Sequence, residues 1–342
     1  MLETPEDGAL QAVWWDGDAV GFIDQRALPD ALEKRRATSV AEVEAAIQSL
    51  AVRGAPAIGV FGAYGVALAE RQTSDSEELK RDAARIREAR PTAVNLAWAV
   101  DRVCRAPDRL LEAQAIHREQ LDIDRRIAGA AAELFPASAR VLTHCNTGPL
   151  ATAGEGTALG SIIAASRQGK AVHVYVDETR PLLQGSRLTM FELERAGIEA
   201  TLIIDAAAAV VMQRKNIDLV IVGADRIARN GDTANKIGTY ALAIAAAHHG
   251  IPFYVAAPRS TFDFLLASGA EIPIEERAEQ EVRNFAGARL ANGGAHAYNP
   301  AFDVTPAHLI TAFVSEYGIL RPPYHEALPD LQSRPRLVEM TY

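Results

Sequence analysis

Cysteine is scarce: Cys104 and Cys145 are the only two in 342 residues. Two thiols cannot build a disulfide framework or a cysteine-based metal site, and they point to a reducing, cytoplasmic setting. No run of Lys or Arg forms a basic patch, and the formal charge is −9. DNA or RNA is therefore not expected as the main partner. No apolar run is long enough for a bilayer, since "ALAIAAAHHG" stops at paired histidines, so no membrane span is expected. The opening "MLETPEDGAL" is acidic and lacks the apolar core of an export signal. Internal repeats, low-complexity linkers, C-x-x-C and H-E-x-x-H spacings are also missing. So is a G-x-G-x-x-G turn after the first strand of the second half. A metal or dinucleotide site has no support.

What is present is a globular balance, 49% hydrophobic and 23% charged, with material for two domains. The texture changes at Phe135-Pro136. Before it, "LQAVWWDGDAVGFID" reads as a small hairpin around "DGD". Helical text follows. "TSVAEVEAAIQSLAVRG" has Thr38 or Ser39 as cap, Glu42 behind it and Gly54 as its end. A second helix stops at Pro91, and a long amphipathic one runs over residues 106–134. After Pro136, short β-rich runs alternate with helical stretches: "ARVLTHC", "AVHVYVDE", "EATLIID", "LVIVGAD" and "PFYVAAP", with "SRLTMFELERAG" and "ANKIGTYALAIAAAHHG" read as helical between them. Strands apolar on both faces imply a parallel sheet covered on both sides. The expected fold class is α/β. Residues 1–135 form a mainly helical domain bearing a small β-hairpin or sheet, and residues 136–342 a Rossmann-like, doubly wound parallel sheet.

Ligands of open α/β sheets bind beyond the carboxyl ends of the strands. The reactive residue types fall there. Cys145 closes the first strand, Asp177 and Glu178 the second, Asp225 the "LVIVGAD" strand, and Pro258, Arg259 and Ser260 follow "YVAA". A buried cysteine is commonly inert. Cys145, however, precedes a glycine turn into a helix, whose positive end lowers a thiol pKa. His144 points to the opposite face of the strand and is given neither ligation nor chemistry. Cys104 reads as an ordinary helix residue. Asp225 either pairs with Arg226 or, partly desolvated at an apolar strand end, serves as a general acid. Asp177 and Glu178 read as scaffold. Gly148, Gly154 and Gly156 either punctuate a turn or let backbone N–H groups approach an anion. Arg53 in "RGAPAIG", and Asn235 and Lys236 in "GDTANKIG", are placed at helix starts, where a phosphate or an ordinary ion pair would suit them. The residues alone thus point to acid–base or nucleophilic chemistry on a small phosphorylated ligand.

Seven ordered motifs then identify a resemblance: "RGAPAIGV", "RPTAVNL", "THCNTGPLATAGEGTALG", "VDETRPLLQGSRLTMFEL", "VGADRIARNGDTANKIGT", "YVAAPRSTFD" and "YNPAFDVTPAHLITAFVSEYGIL". Together they resemble the methylthioribose-1-phosphate isomerase family, within the superfamily that includes the eukaryotic initiation factor 2B regulatory subunits. The likeness covers roughly residues 38–325 and is weak in the first 35 residues and the tail. It implies an aldose–ketose isomerisation in methionine salvage, 5-methylthioribose 1-phosphate becoming 5-methylthioribulose 1-phosphate. It also implies Cys145 and Asp225 as catalytic residues. Substrate binding falls to Arg53, Gly54 and Ala55, to Arg90 of "ARPTAV", to Gln184 of "LLQG", and to Asn235 and Lys236. Members need no metal or organic cofactor and are commonly homodimers. A relative acting on ribose 1,5-bisphosphate would need a second cation site. A non-catalytic regulatory subunit would be expected to lack the cysteine and aspartate pair.

Overall fold

The computed structural model describes residues 10–90, 94–285 and 288–334. Pro91, expected to stop a helix, and residues 91–93 of the "RPTAVNL" motif lie outside the described residues. Two compact units are present. The first holds the described residues up to Arg125 and the segment Thr147–Gly156; the second holds Arg126–Asn146 and Thr157–Arg334.

In the first unit, β1 (Val13–Asp16) and β2 (Ala19–Ile23) pair antiparallel around the expected turn, and β3 (Lys34–Ala37) adds to β2. Helices α1 (Val40–Gln48), α2 (Ala55–Gln72), α3 (Ser76–Glu88), α4 (Val94–Arg105) and α5 (Arg109–Ala132) follow. Ser39 starts α1, its Oγ accepting from the Glu42 N–H at 3.3 Å. The Glu42 carboxylate reaches back to the Thr38 N–H at 2.6 Å, so the cap signal is shared by both candidate residues. Gly54 does not end α1, which stops at Gln48; it instead precedes α2 with φ 92°. Every residue from Ala57 to Ala69 of α2 is buried. A helix apolar on all sides belongs at the centre of its unit, and α1, α3, α4, β1 and β2 pack on this one.

The second unit contains, in chain order, β4 (Ser138–Thr143), α7 (Ala158–Arg167), β5 (Ala171–Asp177), α8 (Met190–Arg195), β6 (Glu199–Ile203), α9 (Ala208–Arg214), β7 (Leu219–Val222), β8 (Arg226–Ala228), β9 (Thr233–Lys236), α10 (Thr239–His248) and β10 (Phe253–Ala256); α6 (Pro149–Thr152) falls between β4 and α7 in the chain and belongs to the first unit. Its main sheet has seven strands in the order Gly318–Leu320, Ala312–Ser315, β10, β7, β4, β5, β6. All neighbours run parallel except the terminal strand Gly318–Leu320. β7 and β10 are buried along their whole length, and Leu142, Val220, Val222, Phe253, Val255 and Phe313 belong to one core. This is the doubly wound sheet expected from strands apolar on both faces. A smaller sheet sets β8 against β9 and β9 against Phe302–Thr305, with Phe262–Asp263 beside β8.

Two expectations shift. The units divide inside α5, before the boundary of 135 and 136, because the end of that helix is tied to the sheet unit: the Lys170 ammonium donates to the Ala132 and Phe135 carbonyls at 2.7 and 2.6 Å. Residues 234–236 belong to β9 and not to a helix, because their backbone pairs with β8 and with Phe302–Thr305. Among the described residues, no helix is long and apolar enough to cross a membrane.

Candidate active site

The strand order reverses at β4. Its successor β5 lies on one side and β7 on the other, with Leu142 paired to Val220 across the β4–β7 junction. That is the topological switch point, where the connections leave a crevice beyond the strand ends. Cys145 lies just past β4 and Asp225 just past β7, so these two residues sit at adjacent strand ends.

Cys145 is buried and holds φ 62°, a left-handed conformation that costs free energy for any residue with a Cβ. Its backbone is clamped from two sides. Its N–H donates to Thr179 Oγ1 at 2.9 Å, and the Thr189 hydroxyl donates to its carbonyl at 2.6 Å. Thr179 and Leu183 share the left-handed conformation, at φ 65° and 60°. Thr189 closes a π-helical turn, Gly185–Thr189, a geometry that recurs at functional sites. Strain gathers around the thiol. The helix expected to polarise it is only the four-residue α6, too short for a substantial dipole. The anion cradle is likewise corrected. The Gly154 N–H goes to Thr152 Oγ1 at 3.2 Å and the Gly156 N–H to Asp124 Oδ2 at 3.0 Å, so the protein's own groups occupy those donors.

Asp225 is exposed, against the desolvation expected from its strand end. Its N–H donates to the Ala234 carbonyl at 3.0 Å. The β8–β9 register, Arg226 opposite Ala234, places Asp225 opposite Asn235 when extended by one residue. Arg226 pairs with Asp263 at 3.7 Å. Asn235 is buried and donates through Nδ2 to Thr239 Oγ1 at 3.0 Å. Lys236 donates to the Ala301 carbonyl at 2.9 Å, its ammonium 4.5 Å from the Phe302 ring centre. Both residues end β9 and do not start a helix. The first amides of α10 are already filled, Gly238 and Tyr240 donating to the Asp303 carboxylate at 2.8 and 3.1 Å. Gln184 opens the π-helical turn. It is buried, and its Oε1 has no hydrogen-bond partner among the described residues. A buried acceptor left over in this way suits a ligand hydroxyl. Arg259 donates to the Leu331 and Gln332 carbonyls at 3.0 and 2.7 Å, which makes it a tie to the last helix.

His144, set aside in the sequence, is the residue that reasoning missed. Its Nδ1 lies 3.0 Å from Asp177 Oδ2, and its Nε2 is 2.8 Å from the Ile237 carbonyl oxygen. Burial opposes a charge on the ring. The hydrogen bond and charge of Asp177, helped by Asp205 and by the Ile237 carbonyl, outweigh it and raise the His144 pKa. His144, Asp177 and Asp205 are close enough to form a ligand triad. Yet the first two are hydrogen-bonded to each other, and Asp205 accepts from the Thr179 and Arg180 N–H groups at 2.8 and 2.7 Å. The signal in the sequence was the His-Cys dipeptide at a strand end; strand alternation read it as two separate faces.

The first unit carries Arg53, Gly54, Ala55 and Arg90. The first three form the turn into α2, and Arg90 is half-buried just past α3. A Cβ on Gly54 would collide with the Ala151 carbonyl, so this turn lies directly on α6, in the segment that follows Cys145 in the chain. The same segment is braced from α2 and α5. The Tyr64 hydroxyl is 3.0 Å from His117 Nδ1, and His117 Nε2 is 2.8 Å from the Ala153 carbonyl. A carbonyl can only accept, so Nε2 carries the proton and Nδ1 accepts from Tyr64. Burial pushes His117 down to about 4 and Asp124 up to about 6. His117 costs stability as pH falls through 6.5 towards 4, because the unfolded chain binds the extra proton; Asp124 does the reverse between pH 6 and 4. His117→Gln keeps a donor for Ala153 and an acceptor for Tyr64. Relative to wild type it is expected to gain about 3 kcal/mol of stability between pH 7 and pH 4 in urea titrations. Parallel curves for the two proteins would contradict the buried neutral imidazole.

Fold and site together define a doubly wound α/β protein with a strained thiol and a carboxylate at its switch point. The model of the Initiation factor 2 subunit family matches residues 51–322, and the chain belongs to that family. A methylthioribose-1-phosphate isomerase of Chloroflexus aurantiacus is 53% identical over 343 aligned positions, covering 95% of this chain and 99% of the relative. One from Anaeromyxobacter dehalogenans is 56% identical over 330 positions, covering 94% and 97%. Among solved structures, 5-methylthioribose 1-phosphate isomerase of Pyrococcus horikoshii is 40% identical with a TM-score of 0.89, covering 95% of this chain and 96% of that one. A translation initiation factor eIF-2B delta subunit from A. fulgidus is 42% identical with a TM-score of 0.86, covering 95% and 100%.

Proposed function

We propose that this chain is an aldose–ketose isomerase converting 5-methylthioribose 1-phosphate to 5-methylthioribulose 1-phosphate in methionine salvage. The observation that carries the reading is the pair Cys145 and Asp225 at adjacent strand ends of the switch point, in a chain 53% identical to a methylthioribose-1-phosphate isomerase. The phosphate on C1 blocks spontaneous ring opening, so the enzyme must open the ring. Asp225 gives a proton to the ring oxygen as its bond to C1 breaks. Hydrogen then moves from C2 to C1, and the C2 hydroxyl surrenders its proton as the carbonyl forms. One proton is added and one released, so the acid is restored. Cys145 acts at C1 and C2. Its thiolate either relays the C2 proton or borders a direct hydride shift, and deuterium at C2 separates the two by appearing in solvent or staying on the product. Arg53, Gly54, Ala55, Arg90, Gln184, Asn235 and Lys236 are the proposed substrate-binding residues, with Gln184 Oε1 accepting from a sugar hydroxyl. Ribose 1,5-bisphosphate is the competing substrate.

The A. fulgidus relative carries an initiation-factor name, which supports a second reading as a regulatory subunit. Wild-type protein that turns over no sugar phosphate would favour it. On the isomerase reading, Cys145→Ala and Asp225→Asn each lower kcat by at least about 100-fold in a coupled assay while KM changes little. Retained turnover in either variant would defeat its catalytic assignment.

We further propose a homodimer. The edge strand β6 and the segments after it expose Leu202, Ile204 and Val210, and α10, packed against α9, exposes Tyr240 and Ile244. Exposed apolar side chains of this size favour a covered face. Sedimentation should give about twice the 36.7 kDa chain mass, falling to the chain mass in Leu202→Asp/Ile204→Asp. A monomeric wild type would refute this.

A further inference from the structure

We propose that His144 and Asp177 are positioning residues of this site, their buried hydrogen bond joining three chain segments that the chemistry needs in fixed register. The inference rests on the isomerase reading above. His144 belongs to the segment carrying Cys145. Asp177 ends β5. The third anchor is the Ile237 carbonyl, immediately after Asn235 and Lys236. One imidazole therefore links the thiol's strand end to the two proposed substrate-binding residues on β9.

The geometry leaves little freedom. Both residues are almost wholly buried, at 1% and 2% exposure. The Ile237 carbonyl requires a proton on Nε2, which leaves Nδ1 and Asp177 Oδ2 to share the other. A Cβ added to Gly238 would come within 2.8 Å of the imidazole Cε1, so the β9–α10 turn packs directly against the ring. Asp177 also reaches Cys145 by its backbone: its carbonyl accepts from the Thr179 hydroxyl at 3.0 Å, and Thr179 Oγ1 accepts from the Cys145 N–H. The left-handed backbone of Cys145 is thereby over-determined by a polar network, as retention of such strain requires. The charged groups facing His144 are the carboxylates of Asp177, Asp205 and Asp303. Burial pushes the Asp177 and Asp303 carboxyls up, and the hydrogen bond and charge of His144 oppose this at Asp177. Neither His144 nor Asp177 needs to touch the substrate.

The test uses the full chain and three readouts on Asp177→Asn and His144→Gln. A folded variant should show kcat on 5-methylthioribose 1-phosphate lowered about 10- to 100-fold with KM within about threefold, as for a displaced catalytic group. The pH midpoint for alkylation of Cys145 by iodoacetamide, followed by mass spectrometry, should move by at least about half a unit, a readout that a purely structural role would leave alone. That second measurement needs no substrate, so it separates failure of the positioning claim from failure of the isomerase reading. Folded variants with wild-type kcat and alkylation profile would overturn the proposal. Should both variants fail to fold, 15N NMR of the wild-type imidazole decides. Nε2 protonated throughout pH 6 to 9 is expected, and an unprotonated Nε2 would overturn it.

Discussion

The parallel pairing of β4 with β7 is the constraint on which the site depends. It joins strands that are far apart in the chain, and it reverses the winding of the sheet at their junction. Connections on either side then diverge, leaving a crevice that backbone topology creates before any side chain acts. Cys145 and Asp225 inherit their places beyond adjacent strand ends from this pairing. Shifting either strand by one residue would turn its end residue to the opposite face.

A rigid sheet positions strand ends but not the loops beyond them. Here the loops are fixed by buried polar groups. Thr179 and Thr189 clamp the Cys145 backbone, and Asn146 is held by Thr189 at 3.2 Å and by Glu192. His144 reaches from Asp177 to Ile237. In the first unit, His117 and Asp124 perform the same service for the segment 147–156. Buried hydrogen bonds of this kind are costly to break, because each partner left behind is desolvated and unpaired. The strained φ of Cys145 persists for that reason.

Much of the fold was legible in the sequence because it depends on local pattern. Runs such as "LVIV" are apolar on both faces and could only be covered strands, and their alternation with helices defined the doubly wound sheet. Cys145 and Asp225 were legible by their place at strand ends. What was hidden depends on long-range pairing. Residues 234–236 read as helix because the alanines that follow are helical, yet β8 and Phe302–Thr305 claim them for a sheet. Gly154 and Gly156 could be read either as turn punctuation or as anion donors, and Asp124, distant in sequence, supplies the carboxylate for Gly156. His144 looked idle by strand alternation, which says nothing of a partner on β5. Arg90 and Gln184 bear no local signal and entered only through resemblance to the family.

The central claim is that isomerisation occurs at Cys145. It is tested most directly by asking whether substrate shields that thiol. Wild-type protein is treated with iodoacetamide with and without 5-methylthioribose 1-phosphate, and alkylation at Cys145 and Cys104 is followed by mass spectrometry beside activity. The account predicts activity lost in proportion to Cys145 modification, slowed by the sugar phosphate, with modification of the exposed Cys104 leaving activity intact. Full activity with Cys145 fully alkylated would contradict it.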